Sequence, residues 1–209
     1  MDGSDQPRWL NWAREIQAMS QTGLTHGPGV YDRERYVRLM EISAEILACH
    51  TTLEKEPLQE NFLRQPGYAT PKIDVRGGVV REGRILLVQE RSDERWCMPG
   101  GWADVGERPS ESVEREVREE SGLTVVARKV VGVYDANRSG VPVEFFHAFK
   151  VVFLCEIIGG ETRASEETLA AEFFAFDELP PLSPERTHER HLADVRLHWR
   201  EPARATAFD

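Results

Sequence analysis

Between Gly101 and Leu123 the chain reads GWADVGERPSESVEREVREESGL, with seven acids (Asp104 and six glutamates) against three arginines. The pattern predicts a helix from Pro109 to Ser121 that stops at Gly122. On that helix Glu116, Glu119 and Glu120 fall at i, i+3 and i+4, so three carboxylates crowd one face. Each like-charge pair opposes the helix by about 0.2–0.5 kcal/mol even when exposed. Glu119 and Glu120 also stand in the last turn, where the helix dipole disfavours negative charge. A charged run is ordinarily a solvated face, but several local rules broken together mark a functional site. A bound cation resolves the conflict. The segment offers oxygen donors and no His or Cys, which favours a hard ion, Mg²⁺ or Mn²⁺. Such an ion is shared with substrate phosphates, so the chemistry implied is metal-assisted attack of water on a phosphate or diphosphate. Pro99-Gly100-Gly101, just ahead, supplies a tight turn whose carbonyl completes the shell, and Val113 and Val117 anchor the helix to whatever lies behind it.

What lies behind it is expected to be a sheet. IDVRGGVV and RILLVQER predict two strands joined at Glu82-Gly83, and further strands are expected in TVVARKVVGVYD, VEFFHAFKVVFLCEI and AEFFAFD. A last helix is expected from about Pro184 to Trp199, with Leu192, Val195 and Trp199 on one face. Strands interleaved with two helices imply a mixed sheet covered by helices, an α/β fold. Upstream, Trp9, Trp12, Ala13, Ile16 and Met19 recur at helical spacing over residues 8–22, with Gly23 as the stop. A second helix is expected to start with Asp32 as its cap and to carry Tyr36, Leu39, Met40, Ile42, Ile46 and Leu47. A two-helix hairpin cannot bury several aromatics alone, so it must pack on the main domain, on a partner subunit, or on both. Residues 57–71 hold three prolines and a glycine and read as a linker. The expected organisation is therefore a hairpin over 1–56, a linker over 57–71 and one larger domain over 72–209.

Charge and composition narrow the partners. The chain has 209 residues, with 26 Lys and Arg against 36 Asp and Glu, for a net charge of −10. Counterion release favours basic surfaces, so general nucleic-acid binding and docking on anionic lipid are disfavoured. The longest strongly apolar run, Val151 to Cys155, is far short of the roughly 18 residues of a membrane helix. The opening MDGSDQPRW lacks the basic flank and apolar stretch of a secretion signal. Cys49, Cys97 and Cys155 are widely spaced with no CxxC pair, and the expectation is reduced thiols in a cytoplasmic protein. Asn137-Arg138-Ser139 matches a glycosylation pattern that such a chain would not use.

The spacing of the acidic segment also matches a known pattern: G, five residues, E, seven residues, R-E-aliphatic-any-E-E-any-G-aliphatic. Gly101, Glu107, Arg115, Glu116, Val117, Glu119, Glu120, Gly122 and Leu123 meet it without departure. The segment thus resembles a Nudix box, and residues from about 72 to 182 resemble the Nudix α/β/α sandwich. The resemblance implies hydrolysis of a nucleoside diphosphate linked to another group, X. It implies Glu116, Glu119 and Glu120 as ligands of Mg²⁺ or Mn²⁺, one of them helping to deprotonate water, with a carbonyl from Gly100 or Gly101. It also implies an orienting ion pair between Arg115 and Glu107. Some family members add an acid from a later loop as metal ligand or base. Here Glu166 and Glu167 are available and Glu167 is the choice, the alternative being a plain exposed loop acid. Arg76, beside the first strand, is expected to contact phosphate or base, and Trp102 either stacks on a base or fills the sheet face.

RWLNWAREIQAMSQTGL, YDRERYVRLMEISAEI, PKIDVRGGVV, MPGGWADVGE and the SEET…FF…DELP stretch resemble a subgroup with an N-terminal helical hairpin. Its members are generally called ADP-ribose or CDP-choline pyrophosphatases, and their hairpin supports a homodimer and helps shape the pocket. The implied reactions are CDP-choline to CMP and phosphocholine, or ADP-ribose to AMP and ribose 5-phosphate. Two other readings compete. A silent nucleotide-binding sensor would be expected to lose box carboxylates or carry a basic appendage, and neither is seen. Action on RNA ends or nucleoside triphosphates is opposed, for RNA, by the acidic balance.

Overall fold

The computed structural model describes residues 7–136 and 146–209. Residues 143–145, which open one of the expected strands, and Asn137-Arg138-Ser139 lie outside the described residues. The chain divides into two compact units, Met1–Pro71 with Pro142–His147, and Lys72–Val141 with Ala148–Asp209.

The first unit is built from three helices, α1 (Arg8–Thr25), α2 (Val30–His50) and α3 (Lys55–Leu63). Leu10 and Ala13 of α1 meet Met40, Ala44 and Leu47 of α2, and Leu58 and Phe62 of α3 complete the core. The Ser43 hydroxyl donates to the Ala13 carbonyl at 2.8 Å, pinning α1 to α2. Three expectations need correction here. The stretch expected to be a linker from residue 57 carries α3, because Pro57 sits in the first turn, where no intrahelical N–H is lost, and Leu58 and Phe62 are one turn apart. Gly23 does not stop α1, which runs on to Thr25. A Cβ at Gly23 would collide with the Tyr36 ring, so the glycine serves close helix approach. The second helix begins two residues before Asp32, after Gly29, and Asp32 instead pairs with Arg35 at 2.9 Å in its first turn.

The second unit is a seven-stranded mixed sheet with one helix on each face. Its strands are β1 (Lys72–Arg81), β2 (Arg84–Glu90), β3 (Trp96–Cys97), β4 (Leu123–Asp135), β5 (Ala148–Gly160), β6 (Thr168–Ala175) and β7 (Ala207–Phe208). Its helices are α4 (Pro109–Ser121) and α5 (Glu189–Arg200). The strand order is β3-β2-β1-β5-β4-β7, with β6 paired to β2. β1 runs parallel to β5, and β4 to β7, while the other pairings are antiparallel. Alternation along the strands sorts the core. Leu86, Val88 and Phe153 face α4, and Ile85, Leu87 and Val152 face α5. The last helix starts at Glu189 rather than near Pro184.

Gly77 and Gly78, side by side in β1, set how closely the helices approach. A Cβ at Gly77 would lie 2.5 Å from Val117 of α4, and one at Gly78 would lie 2.8 Å from Val195 of α5. Val113 and Val117 are wholly buried, a burial that stabilises by about 1.5–3 kcal/mol each. Each like-charge pair on the same helix costs only about 0.2–0.5 kcal/mol. Packing therefore outweighs repulsion, and α4 stays helical with its glutamates in place.

Candidate active site

The site is assembled on the Pro99-Gly100-Gly101 turn. Val75 donates its N–H to the Gly101 carbonyl and Gly77 to the Pro99 carbonyl, both at 2.8 Å, which straps the turn onto β1. Gly100 has φ +145°, and a Cβ there would collide with the Val75 carbonyl oxygen and fall 2.9 Å from the Arg76 Cα. Only glycine fits. Of the two carbonyls expected to serve an ion, that of Gly101 is already engaged by Val75.

Helix α4 brings its acids to this turn. The Gly100 N–H donates to the Glu120 carboxylate at 2.9 Å. The Glu116 carboxylate lies so close to Gly101 that an added Cβ would meet it at 3.1 Å. Glu119, the third of the set, is exposed. Burial pushes the Glu120 carboxyl up to about 8, against the pull of Arg76 and the Gly100 N–H, with Glu90 and Glu116 adding repulsion. Burial raises Glu116 as well, with Arg115 and Arg76 holding it back. These are carboxyls for which the ionised form lacks a sufficient counter-charge.

Arg115 lies at the outer edge of the cluster. Its guanidinium donates to Glu107 at 2.9 Å, to Glu116 at 2.8 Å and to Glu119 at 3.1 Å, and pairs with Asp104 at 3.3 Å. Ser112 donates to the other side of the Glu107 carboxylate at 2.5 Å. Among the described residues no three His, Cys, Asp or Glu side chains converge to hold an ion. Arg115 accounts for that, since it draws Glu116 and Glu119 to itself. The donor chemistry nevertheless fits Mg²⁺ or Mn²⁺: carboxylate and carbonyl oxygens only, with Glu120 buried and Glu116 half-buried.

Arg76 is not at the surface but inside β1, buried and bonded through Nε to Asp74 at 2.9 Å. Its charge reaches both Glu116 and Glu120. Trp102 is exposed, with Lys72 Nζ 6.0 Å from its ring centre, so it does not fill the sheet face. Glu166 and Glu167 are exposed on the loop before β6. That loop is tied down by Arg91, which donates to the Glu167 carbonyl at 3.2 Å and the Glu166 carbonyl at 3.0 Å. Thr168 ties it further to the end of α4 by donating to the Glu120 carbonyl at 2.8 Å. The structure thus gathers Gly100, Gly101, Arg115, Glu107, Glu116, Glu119 and Glu120 into one cluster, with Arg76 buried beneath. It establishes no contact between the Trp102 or Glu167 side chain and the box carboxylates. Sequence reasoning missed Asp74, Lys150 and Glu90, all buried and charged. The alternation Asp74-x-Arg76 within one strand was the available signal for the first.

A mixed sheet between two helices, with this carboxylate helix laid on a glycine turn, is the build of a Nudix hydrolase. The chain belongs to that family: residues 72–195 match the NUDIX domain, and residues 7–62 match the UDP-X-like N-terminal oligomerisation domain. Among its relatives is a Bacillus subtilis (strain 168) protein named "Putative ADP-ribose pyrophosphatase YjhB", 40% identical over 204 residues and spanning 98% of each chain. A crystal structure of an ADP-ribose pyrophosphatase from Streptococcus suis 89-1591 is 39% identical with a TM-score of 0.61, covering 67% of this chain and 100% of that one. The crystal structure of a UDP-X diphosphatase is 30% identical with a TM-score of 0.62, covering 97% of this chain and 98% of that one. The chain is a pyrophosphohydrolase of the Nudix type.

Proposed function

We propose that this hydrolase cleaves the diphosphate of ADP-ribose, giving AMP and ribose 5-phosphate, with CDP-choline as the competing substrate of the same chemistry. One observation carries the reading. Glu116 and Glu120 lie against a glycine turn strapped directly above a buried arginine, so cation ligands and an anion-binding group share one floor. Similarity to proteins named for ADP-ribose supports the choice of base and X group. Glu116, Glu119 and Glu120, with the Gly100 or Gly101 carbonyl, would hold the divalent ion. When bound, that ion neutralises the diphosphate and lowers the pKa of the attacking water.

The protein's own residues have separable tasks in this reading. Arg115, itself held by Glu107, gathers Glu116 and Glu119 on one guanidinium and keeps them oriented until the ion arrives. Arg76 holds a phosphate oxygen. The exposed Trp102 ring offers a face on which a planar base can stack. Glu119 and Glu167, both exposed, are the acids this reading assigns to take a proton from water, together with Glu120, one oxygen of which accepts the Gly100 N–H. The oligomerisation-domain match and the exposed Trp12 and Met19 on α1 support a homodimer. Three free thiols support a reducing, cytoplasmic setting.

The test is product analysis by HPLC on ADP-ribose, CDP-choline, UDP-linked sugars and ATP with Mg²⁺. AMP and ribose 5-phosphate in equal amounts, lost in Glu119→Gln, is the expected result. Cleavage of ATP with both diphosphate esters intact would overturn the reading.

A further inference from the structure

We propose that Asp74 and Lys150 are positioning residues, which fix Arg76 with one edge of its guanidinium free to take a substrate phosphate. The proposal rests on the diphosphate reading above and adds the device that makes it selective for anions.

The geometry is a closed ring of side chains beneath the Met98–Gly101 turn. Lys150 of β5 pairs with one oxygen of Asp74 at 3.2 Å, and Arg76 Nε donates to the other at 2.9 Å. Arg76 Nη1 donates to the Met98 carbonyl at 3.3 Å and approaches the Cys97 sulfur at 4.0 Å. The Cys97 thiol donates to Glu90 at 3.1 Å, and Glu90 pairs with Arg186 at 3.3 Å. Lys150 closes the circuit by donating to the backbone carbonyls of Arg186 and, at 3.3 Å, Glu185. β5, β1, β3, β2 and the loop before α5 are thereby joined through their side chains.

Donor counting assigns the roles. An ammonium has three N–H donors, and Lys150 Nζ has three acceptors in Asp74, Glu185 and Arg186, so it is saturated. A guanidinium has five, and among the described residues the Nη2 of Arg76 makes no hydrogen bond. Charge placement agrees. Lys150 and Arg76 are both buried and share Asp74 as ion-pair partner, but only the charge of Arg76 also reaches Glu116 and Glu120, so the guanidinium is the cation of the pair that faces the carboxylate cluster. Asp74 and Met98 take the Nε and Nη1 donors, and the Nη2 edge is the one left for a phosphate oxygen.

The test is a double-mutant cycle in the full-length protein, with steady-state kinetics on ADP-ribose at saturating Mg²⁺. Arg76→Gln is expected to raise KM about ten- to hundredfold, the range of one lost charge-assisted hydrogen bond, and Asp74→Asn to raise it severalfold. In the Arg76→Gln background, Asp74→Asn is expected to add nothing, because Asp74 acts through Arg76. Equal fold-losses in both backgrounds would make Asp74 a purely structural residue and overturn the proposal. Should Asp74→Asn not fold, the pair Asp74→Asn with Lys150→Met removes one acid and one cation together and enters the same cycle. Calorimetry with inorganic diphosphate and Mg²⁺ is the independent readout. If no diphosphate ester is hydrolysed yet Asp74→Asn and Arg76→Gln each weaken diphosphate binding without additivity, the substrate reading falls and the positioning proposal stands. Unchanged diphosphate binding in Arg76→Gln overturns the proposal.

Discussion

Gly100→Ala tests the architecture of the site with a single methyl group. Gly100 and Gly106 both have positive φ, +145° and +98°, so alanine at either meets backbone strain of about 1–3 kcal/mol. They differ in surroundings. Nothing lies within 4 Å of a Cβ at Gly106, whereas a Cβ at Gly100 collides with the backbone of Val75 in the central strand. The turn must swing off β1. That movement endangers three hydrogen bonds, the two that strap the turn to β1 and the one from Gly100 to Glu120, worth about 0.5–1.5 kcal/mol each. Gly100→Ala should therefore be about 1.5–4.5 kcal/mol less stable than Gly106→Ala, a substantial share of the ~5–15 kcal/mol that holds an ordinary domain. Any fraction that still folds should turn over ADP-ribose at least ~100-fold more slowly, the typical effect of a 1 Å misplacement. Urea unfolding of both variants, with activity measured at saturating Mg²⁺, gives the comparison. Matching midpoints, or full activity in Gly100→Ala, would show that the turn is not held against β1 as described.

Three further outcomes are expected. Arg115→Met should weaken Mn²⁺ uptake or activity about 10–100-fold by freeing Glu107, Glu116 and Glu119 to repel one another, and calorimetry showing unaltered uptake, with unaltered turnover, would contradict this. His191 is buried, and that burial, with Lys150 nearby, pulls its pKa down to about 3. Between there and the unfolded value of about 6.5 the unfolded chain binds more protons. Its contribution is whole above pH ~6.5 and falls by up to ~1.4 kcal/mol per unit on acidification. Chemical denaturation across pH 4–7 should show a shallower loss in His191→Asn, and parallel curves would refute the assignment. Trp12→Glu, on the exposed face of α1, should shift light-scattering mass toward the monomer with activity reduced; an unchanged mass would remove that face from the interface.

The carboxylate helix was legible from end to end because each of its boundaries is a local signal. Pro109 can open a helix and Gly122 can close it, so Pro109–Ser121 was expected and is found. β1, β2, β4, β5 and β6 were legible from apolar, β-branched runs set off by turn residues, since a sheet covered on both faces buries successive residues, as β2 does from Ile85 to Val88. The two-residue β3 and β7 carry no such run and were not foreseen. Helix α3 was not, because proline reads as a breaker unless its place in the first turn is known, and that place depends on where Phe62 packs. The ring through Asp74 and Lys150 was invisible for a different reason. Its members come from β1, β2, β3, β5 and a distant loop, and only the pairing of β1 with β5 puts Lys150 opposite Asp74. Local periodicity carries no information about that register.

The adjacent glycines of β1 act on the chemistry from a distance. Because Gly77 presents only hydrogen to Val117, nothing but a bare backbone separates the middle of the sheet from α4, and the glutamates one turn along that helix inherit their height above Arg76 from this missing side chain. A methyl group added at Gly77 would work like a shim under a hinge, lifting every ligand of the cluster away from the floor at once while leaving each of them chemically intact.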